Sequence, residues 1–185
     1  MDKDSELISL YVSGDDTALK ELIDKYTPQI YNFVRRFVGN NEADDITQEI
    51  FVKVWKSLEK FNQNKSSFKT WIFTIARNTV IDFLRRKNSI PFSSLDNEEN
   101  NFSETIKDEA ILPDEILQKL QDVDLLNSLL EKLPEQFQTV LILHYQEEMT
   151  FDEISQVLER PLNTIKSHHL RAILQIRKMI APKSN

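Results

Sequence analysis

The sequence contains no cysteine, which excludes disulfides and cysteine-ligated zinc. It has only two glycines, Gly14 and Gly39, so neither a glycine-rich phosphate loop nor a turn-dense β architecture is available. Three histidines, two of them adjacent at His168 and His169, supply little for a metal site, and none is expected. The opening MDKDSELISL carries neither the basic start nor the apolar run of a signal peptide, and no apolar run long enough for a membrane span follows. The compartment to expect is therefore the cytoplasm.

What is present is 185 residues, 40% of them hydrophobic, enough for one large domain or two small ones. The fold to expect is all-α: two small helical domains joined by a flexible acidic linker, the second a four-helix domain. The net charge of −7 argues at first against a nucleic-acid partner, but its distribution matters more than its sum. Between Asp96 and Asp124 ten acids face two lysines, whereas Arg160 to Asn185 holds six cations and no acid. Ser89 to Leu112 lacks periodicity, is rich in Asn, Ser and acids, and reads as a linker between domains at 1–88 and 113–181.

The stretch Thr150 to Lys178 holds two helical patterns around a turn. Thr150 and Glu153 are the two halves of a capping box for a helix from Phe151. Arg160-Pro161 ends that helix, because proline disfavours helical geometry in the residue before it, and Pro161 supplies the first position of the next. In the second segment Leu162, Ile165, His169, Ala172, Ile173 and Ile176 share one arc at about 100° per residue. That arc makes His169 a hydrogen-bonded core histidine. Asn163, Thr164, Lys166, Ser167, Leu170 and Arg171 point outward near the helix N-terminus, where a recognition helix presents side chains to base edges in the major groove. His168 flanks that face, against phosphate or in solvent. A solvated amphipathic helix that binds nothing has the same periodicity; the ordered coincidence of box, proline turn and acid-free helix favours DNA.

Upstream, a short helix from Ser5 to Val12 precedes one capped by Asp15 or Asp16 and running to Phe37. Pro28 must kink or interrupt the latter, and Gly39 suits its C-terminal cap. Asn41 caps the next helix, Glu42 to Lys60, with one apolar line at Ile46, Ile50, Val54 and Phe61 and a second at Phe51, Trp55 and Leu58. Asp44, Gln48 and Glu49 run beside the second line. Either Phe51 and Trp55 are buried between two helices, or they form an exposed aromatic and acidic surface suited to a protein partner.

The polar loop Asn62 to Ser67 and the helix Phe68 to Lys87 set Lys65, Lys69, Arg77, Arg85, Arg86 and Lys87 among Phe61, Phe68, Trp71 and Phe73, with Asp82 the only acid. Cations that track a backbone, with aromatics or amides that receive unstacked bases, suit single-stranded nucleic acid. The alternative is a core helix with a cationic rim, and Phe68 and Phe83 are expected in the core under both readings. Thr70, Thr74, Arg77, Asn78 and Arg85 share the polar side.

Three stretches, DDITQEIFVKVWKSLEKF (44–61), FKTWIFTIARNTVIDFLRRK (68–87) and LPEQFQTVLILHYQEEMTFDEISQVLERPLNTIKSHHLRA (133–172), together resemble bacterial sigma factors of the extracytoplasmic-function group. The resemblance implies a subunit of RNA polymerase acting on promoter DNA, not an enzyme, with no cofactor and no small-molecule substrate. It implies docking on the clamp coiled coil of polymerase β′ through Asp45, Gln48, Glu49, Phe51 and Trp55, with the β flap as a further polymerase contact. Opening of the minus-10 element and capture of a flipped base then fall to Asn64, Lys65, Phe68, Lys69, Trp71, Arg77 and Asn78. The recognition helix becomes the minus-35 reader, with Lys166, Ser167, Leu170 and Arg171 at bases or phosphates, and Asn163, Thr164 and His168 beside them. An anti-sigma factor is the expected inhibitor. Where the family more often reads G-T-V-K-S-R-L, this chain has Asn163 to His169, so a titratable group replaces a frequent cation and a histidine replaces a core aliphatic.

Two other readings compete. A stand-alone helix-turn-helix regulator would use only the C-terminal part and leave Trp55 and Lys65 to Lys87 unexplained. An all-α phosphohydrolase would hold Mg²⁺ on Asp45 and Glu49, one turn apart, but without a second carboxylate cluster.

Overall fold

The computed structural model describes residues 3–88, 128–130 and 132–180. Among these, all regular secondary structure is helical, and the chain divides into two compact units. The expected linker, and the expected helix from Asp114 up to residue 127, lie outside the described residues.

In the first unit α1 (Lys3–Val12) packs on α2 (Asp16–Val38). Asp15 caps α2, its carboxylate accepting from the Thr17 N–H at 2.9 Å, which satisfies one of the free donors at the helix start. α2 is the central element, because it also packs on α3 (Asn40–Ser57) and α4 (Phe68–Asn88). Its stripe of Leu22, Tyr26, Ile30, Phe33 and Val34 is buried against Ile46, Ile50 and Val54 of α3 and Ile72, Phe73, Ala76 and Val80 of α4. Burial of each such side chain contributes about 1.5–3 kcal/mol.

The interruption expected at Pro28 does not occur, since α2 runs through it. Pro28 and Asp24 are both exposed, so the missing hydrogen bond falls on the solvent side of α2 while the buried stripe holds the helix together. Gly39 closes α2 at φ 81°, its N–H donating to the Arg35 carbonyl at 2.9 Å, a backbone geometry that a side chain would strain. α3 follows at once, so Asn41 lies inside the helix and not at its cap. The helix ends at Ser57, and Leu58–Lys60 tighten into a 3₁₀ turn.

In the second unit residues 128–130 are helical, with Leu129 and Leu130 buried. α5 (Glu135–Leu141) begins behind Pro134, whose carbonyl accepts from Phe137 at 2.9 Å and Gln138 at 3.1 Å. It widens into a π-helical turn, Ile142–Gln146, and is followed by α6 (Phe151–Leu158) and α7 (Leu162–Ile180). α7 packs on α5 through a core of Leu130, Leu133, Phe137, Leu141, Ala172, Ile173 and Ile176.

Candidate nucleic-acid and protein interfaces

The buried side of α3 is Ala43, Ile46, Thr47, Ile50 and Val54, which turns Asp44, Asp45, Gln48, Val52 and Trp55 to solvent. Trp55 exposes 55% of its surface and Val52 45%. The second apolar line of α3 is therefore divided: Leu58 is buried, Phe51 half-buried and Trp55 exposed. Val52 was not anticipated, although it stands on the same face as Gln48 and Trp55 at helical spacing. Glu49 is engaged by Lys53 at 2.8 Å and by Arg86 of α4 at 3.7 Å. The hydrogen bond from Lys53, opposed by some desolvation and aided by the Lys53 and Arg86 charges, holds its carboxyl below the usual range. A second tie between the two helices joins Glu42 and Lys87.

The loop between α3 and α4 is folded on itself. The Asn62 carboxamide accepts from the Asn64 N–H at 2.9 Å, and the Asn62 carbonyl from the Lys65 N–H at 3.0 Å, an Asx-type turn that leaves Asn64 and Lys65 exposed. Ser67 caps α4, its hydroxyl accepting from the Thr70 N–H at 3.1 Å. Phe61, Phe68 and Trp71 form one aromatic cluster, with ring centroids 5.1 Å apart for Phe61 and Trp71 and 5.7 Å for Phe68 and Trp71.

Within that cluster Phe61 and Trp71 are half-buried, but Phe68 is only 4% exposed and packs edge-on against Tyr26 at 5.3 Å. Phe68 thus supports the cluster from the core and offers no face to a base. Phe61, which the sequence places both in an apolar line and among the aromatics beside the cations, shares the surface with Trp71. Three further expectations change: Phe73 is buried against Phe33, Thr70 is buried, and Phe83 is half-buried with the Lys87 ammonium 5.6 Å from its ring centre. Lys69 and Arg77 are half-buried and Asn78 exposed, with Arg77 donating to the Asn78 carboxamide at 3.1 Å.

The capping box at α6 forms as expected. The Thr150 N–H donates to the Glu153 carboxylate at 2.9 Å and the Glu153 N–H to the Thr150 hydroxyl at 3.2 Å. The helix ends at Leu158, two residues before Arg160-Pro161, and Glu159 follows it with a φ of 52° that lets the Arg160 N–H reach the Ser155 carbonyl at 3.1 Å. This is a Schellman closure built on a residue with a Cβ. Glu159→Gly is expected to raise the stability of the unit by about 1 kcal/mol by removing that strain, measurable as a higher urea midpoint. Pro161 sits at the cap of α7 and not at its first helical position, its carbonyl accepting from Ile165 at 3.2 Å.

On α7 the inward arc is Ile165, His169, Ala172, Ile173 and Ile176, with Leu162 half-buried. Asn163 is exposed, while Thr164, Lys166, Ser167, Leu170 and Arg171 are half-buried along the opposite side. His168 does not stand free in solvent: its ring lies 5.3 Å from that of Phe137. Desolvation first, then the charges of Arg171 and Arg160, push its pKa down. His169 is buried and pairs with the Tyr145 hydroxyl at 3.0 Å. Burial, with a smaller contribution from His144, lowers its pKa to about 4.

Among the described residues no group of three or more His, Asp or Glu is placed to hold a metal ion, and no helix is long and apolar enough to cross a membrane.

Residues 22–90 match the Sigma-70 region 2 family and residues 124–176 the Sigma-70 region 4 family. The chain is 32% identical over 174 residues to the ECF RNA polymerase sigma factor SigW of Bacillus subtilis (strain 168), covering 90% of this chain and 91% of that protein. Its fold resembles that of CnrH in complex with the cytosolic domain of CnrY, with a TM-score of 0.67 at 21% identity over 99% of this chain and 100% of CnrH. It also resembles the sigma factor RpoE in complex with the anti-sigma factor NepR from Bartonella quintana, with a TM-score of 0.61 at 20% identity over 89% of this chain and 98% of that one. A lone regulator would need only the second matched region, and both are present in order. The chain belongs to the extracytoplasmic-function sigma factors of the sigma-70 family, proteins that direct RNA polymerase in transcription.

Proposed function

We propose that the three surfaces divide the work of promoter-directed initiation. The N-terminal domain, 1–88, docks on the clamp coiled coil of polymerase β′ through Asp45, Gln48, Glu49 and Trp55, with Phe51 half-buried at the edge. Asn64, Lys65, Lys69, Trp71, Arg77 and Asn78 act on the opened minus-10 element, with Phe61 added to the cluster and Phe68 holding it from below. The C-terminal domain, 113–181, reads the minus-35 element through Asn163, Thr164, Lys166, Ser167, Leu170 and Arg171, with His168 beside them, and contacts the β flap. Residues 89–112 are the tether. The protein acts in the cytoplasm, makes and breaks no covalent bond, and is held inactive by an anti-sigma factor; the complex of the related fold with NepR supports that last assignment.

The observation that carries the reading is the separation of charge and aromatic area: an acid-edged Trp55 on α3, and cations around Phe61 and Trp71 beyond it. Stacking returns roughly 1–3 kcal/mol per base against about 1.4 kcal/mol per base-pair step for opening, so a few captured bases hold a short bubble once polymerase is bound. Run-off transcription with purified core polymerase on a promoter library is the test, and core enzyme that initiates no differently with the protein than without it would remove the proposal. On a selected promoter Arg171→Ala is expected to cost about 1–3 kcal/mol of binding, and Lys166→Ala to reduce the slope of log affinity against log salt by about one. Unchanged affinity and slope in both variants would dismiss the recognition-helix assignment.

A further inference from the structure

We propose that Tyr11 is a positioning residue for the polymerase-docking surface, holding the Trp55 indole in the orientation the partner receives. The inference rests on the docking role given to α3 above. α1 lies outside residues 22–90, the span matched to region 2, so the family match assigns this helix no part.

The Trp55 indole N–H donates to the Tyr11 hydroxyl at 3.0 Å, tying the last turn of α1 to the end of α3. With more than half of the Trp55 side chain in water, a solvent molecule would satisfy that N–H equally well. The bond therefore adds little to folding stability, and what it decides is direction. An indole on an open helix surface samples several staggered χ1 wells; one tied to a second helix keeps one.

Tyr11 is itself fixed at both ends of its helix. Gly14, at φ 105°, closes α1 by letting the Asp15 N–H reach the Leu10 carbonyl at 3.0 Å, while the Gly14 N–H bonds the Tyr11 carbonyl at 2.9 Å. At the other end Asp4 accepts from the Tyr26 hydroxyl and the Lys25 ammonium, setting the register of α1 on α2. A side chain ordered before binding spares the complex that ordering cost, which corresponds to about threefold to tenfold in affinity.

The test is the affinity of the full chain for purified core RNA polymerase in Tyr11→Phe, Trp55→Ala and the double variant. Tyr11→Phe keeps the ring and removes the acceptor, so affinity is expected to fall about threefold to tenfold with the melting temperature unchanged. The double variant should bind no more weakly than Trp55→Ala, because Tyr11 acts through the indole. In a Trp71→Phe background, which leaves Trp55 as the remaining tryptophan, Tyr11→Phe should increase the fast local depolarisation of its emission. Full affinity in Tyr11→Phe beside a loss in Trp55→Ala overturns the positioning role, and so do additive losses, which would mean that Tyr11 meets polymerase on its own. Full affinity in Trp55→Ala removes the α3 docking reading itself, and the role of Tyr11 with it.

Discussion

Replacing Trp55 by alanine is expected to weaken binding to core RNA polymerase by about 2–3 kcal/mol, roughly 30-fold to 150-fold. An aromatic side chain buries about 150–250 Å² when fully covered. Trp55 still exposes 55% of its surface, so about 100 Å² remains for a partner to cover, worth about 2.5 kcal/mol at about 25 cal/mol per Å². The surrounding groups are not equivalent. Asp45 and Gln48 are exposed and form the rim of the proposed interface, where truncation is expected to change affinity by about 1 kcal/mol or less. Glu49 is different again, because its carboxylate already serves Lys53 and Arg86, and Glu49→Ala loosens the contact of α3 with α4 as well as the rim. Competition of unlabelled variants against a labelled native chain for core enzyme separates these effects. A Trp55→Ala protein that competes as well as the native one would rule out α3 as the docking helix.

Acidification is expected to destabilise the C-terminal unit by about 3 kcal/mol between pH 7 and pH 4 through His169 alone. Its folded pKa is about 4, against about 6.5 for an unfolded histidine. Between those values the unfolded chain binds a proton that the folded one refuses, so stability falls as pH falls through that window and the loss is complete below about 4. The cause is burial beneath Phe151 and Tyr145, whose rings lie 5.0 and 5.7 Å from the imidazole, with His144 at 5.3 Å. His168, also shifted down by desolvation, adds in the same direction. Glu135 opposes them, since burial raises its carboxyl pKa and such a group favours the folded state as pH falls. His169→Leu removes the titrating group, so its stability should fall less than that of the native protein as pH falls from about 7 to about 4. The difference in urea-unfolding free energy between the two proteins, followed from pH 7 to pH 4, reads the effect directly. A difference that does not change with pH would place the His169 titration at its unfolded value.

The two effects illustrate different limits of sequence reading. His169 was legible because it falls on the same arc as Ile165, Ala172, Ile173 and Ile176, and an arc is a property of spacing. The partner that satisfies it, Tyr145, lies 24 residues away in a π-helical turn that periodicity does not announce. Trp55 and Phe51 shared an apolar line in the sequence and part company in the fold. Phe51 is half-covered, whereas Trp55 is exposed, with its indole N–H bonded to the Tyr11 hydroxyl. Phe68 was expected both in the core and at the opened strand; Tyr26 on its edge settles it as core.

By itself the sequence determined the helices, most of their caps and the order of the parts, because these follow from residue spacing, proline and glycine placement, and short-range hydrogen bonds. The Thr150 and Glu153 box, the Asp15 cap and the Gly39 closure are all local. Only the tertiary structure decided which side of a doubly apolar helix faces water, which aromatic ring supports and which presents, and which charges are already engaged. Those outcomes depend on the helix that arrives from elsewhere in the chain: α1 beside Trp55, α2 beneath Phe68, α5 against His168 and α4 against Glu49. Periodicity states which residues travel together on one face; coverage of that face is a property of distant neighbours, and no local pattern encodes it.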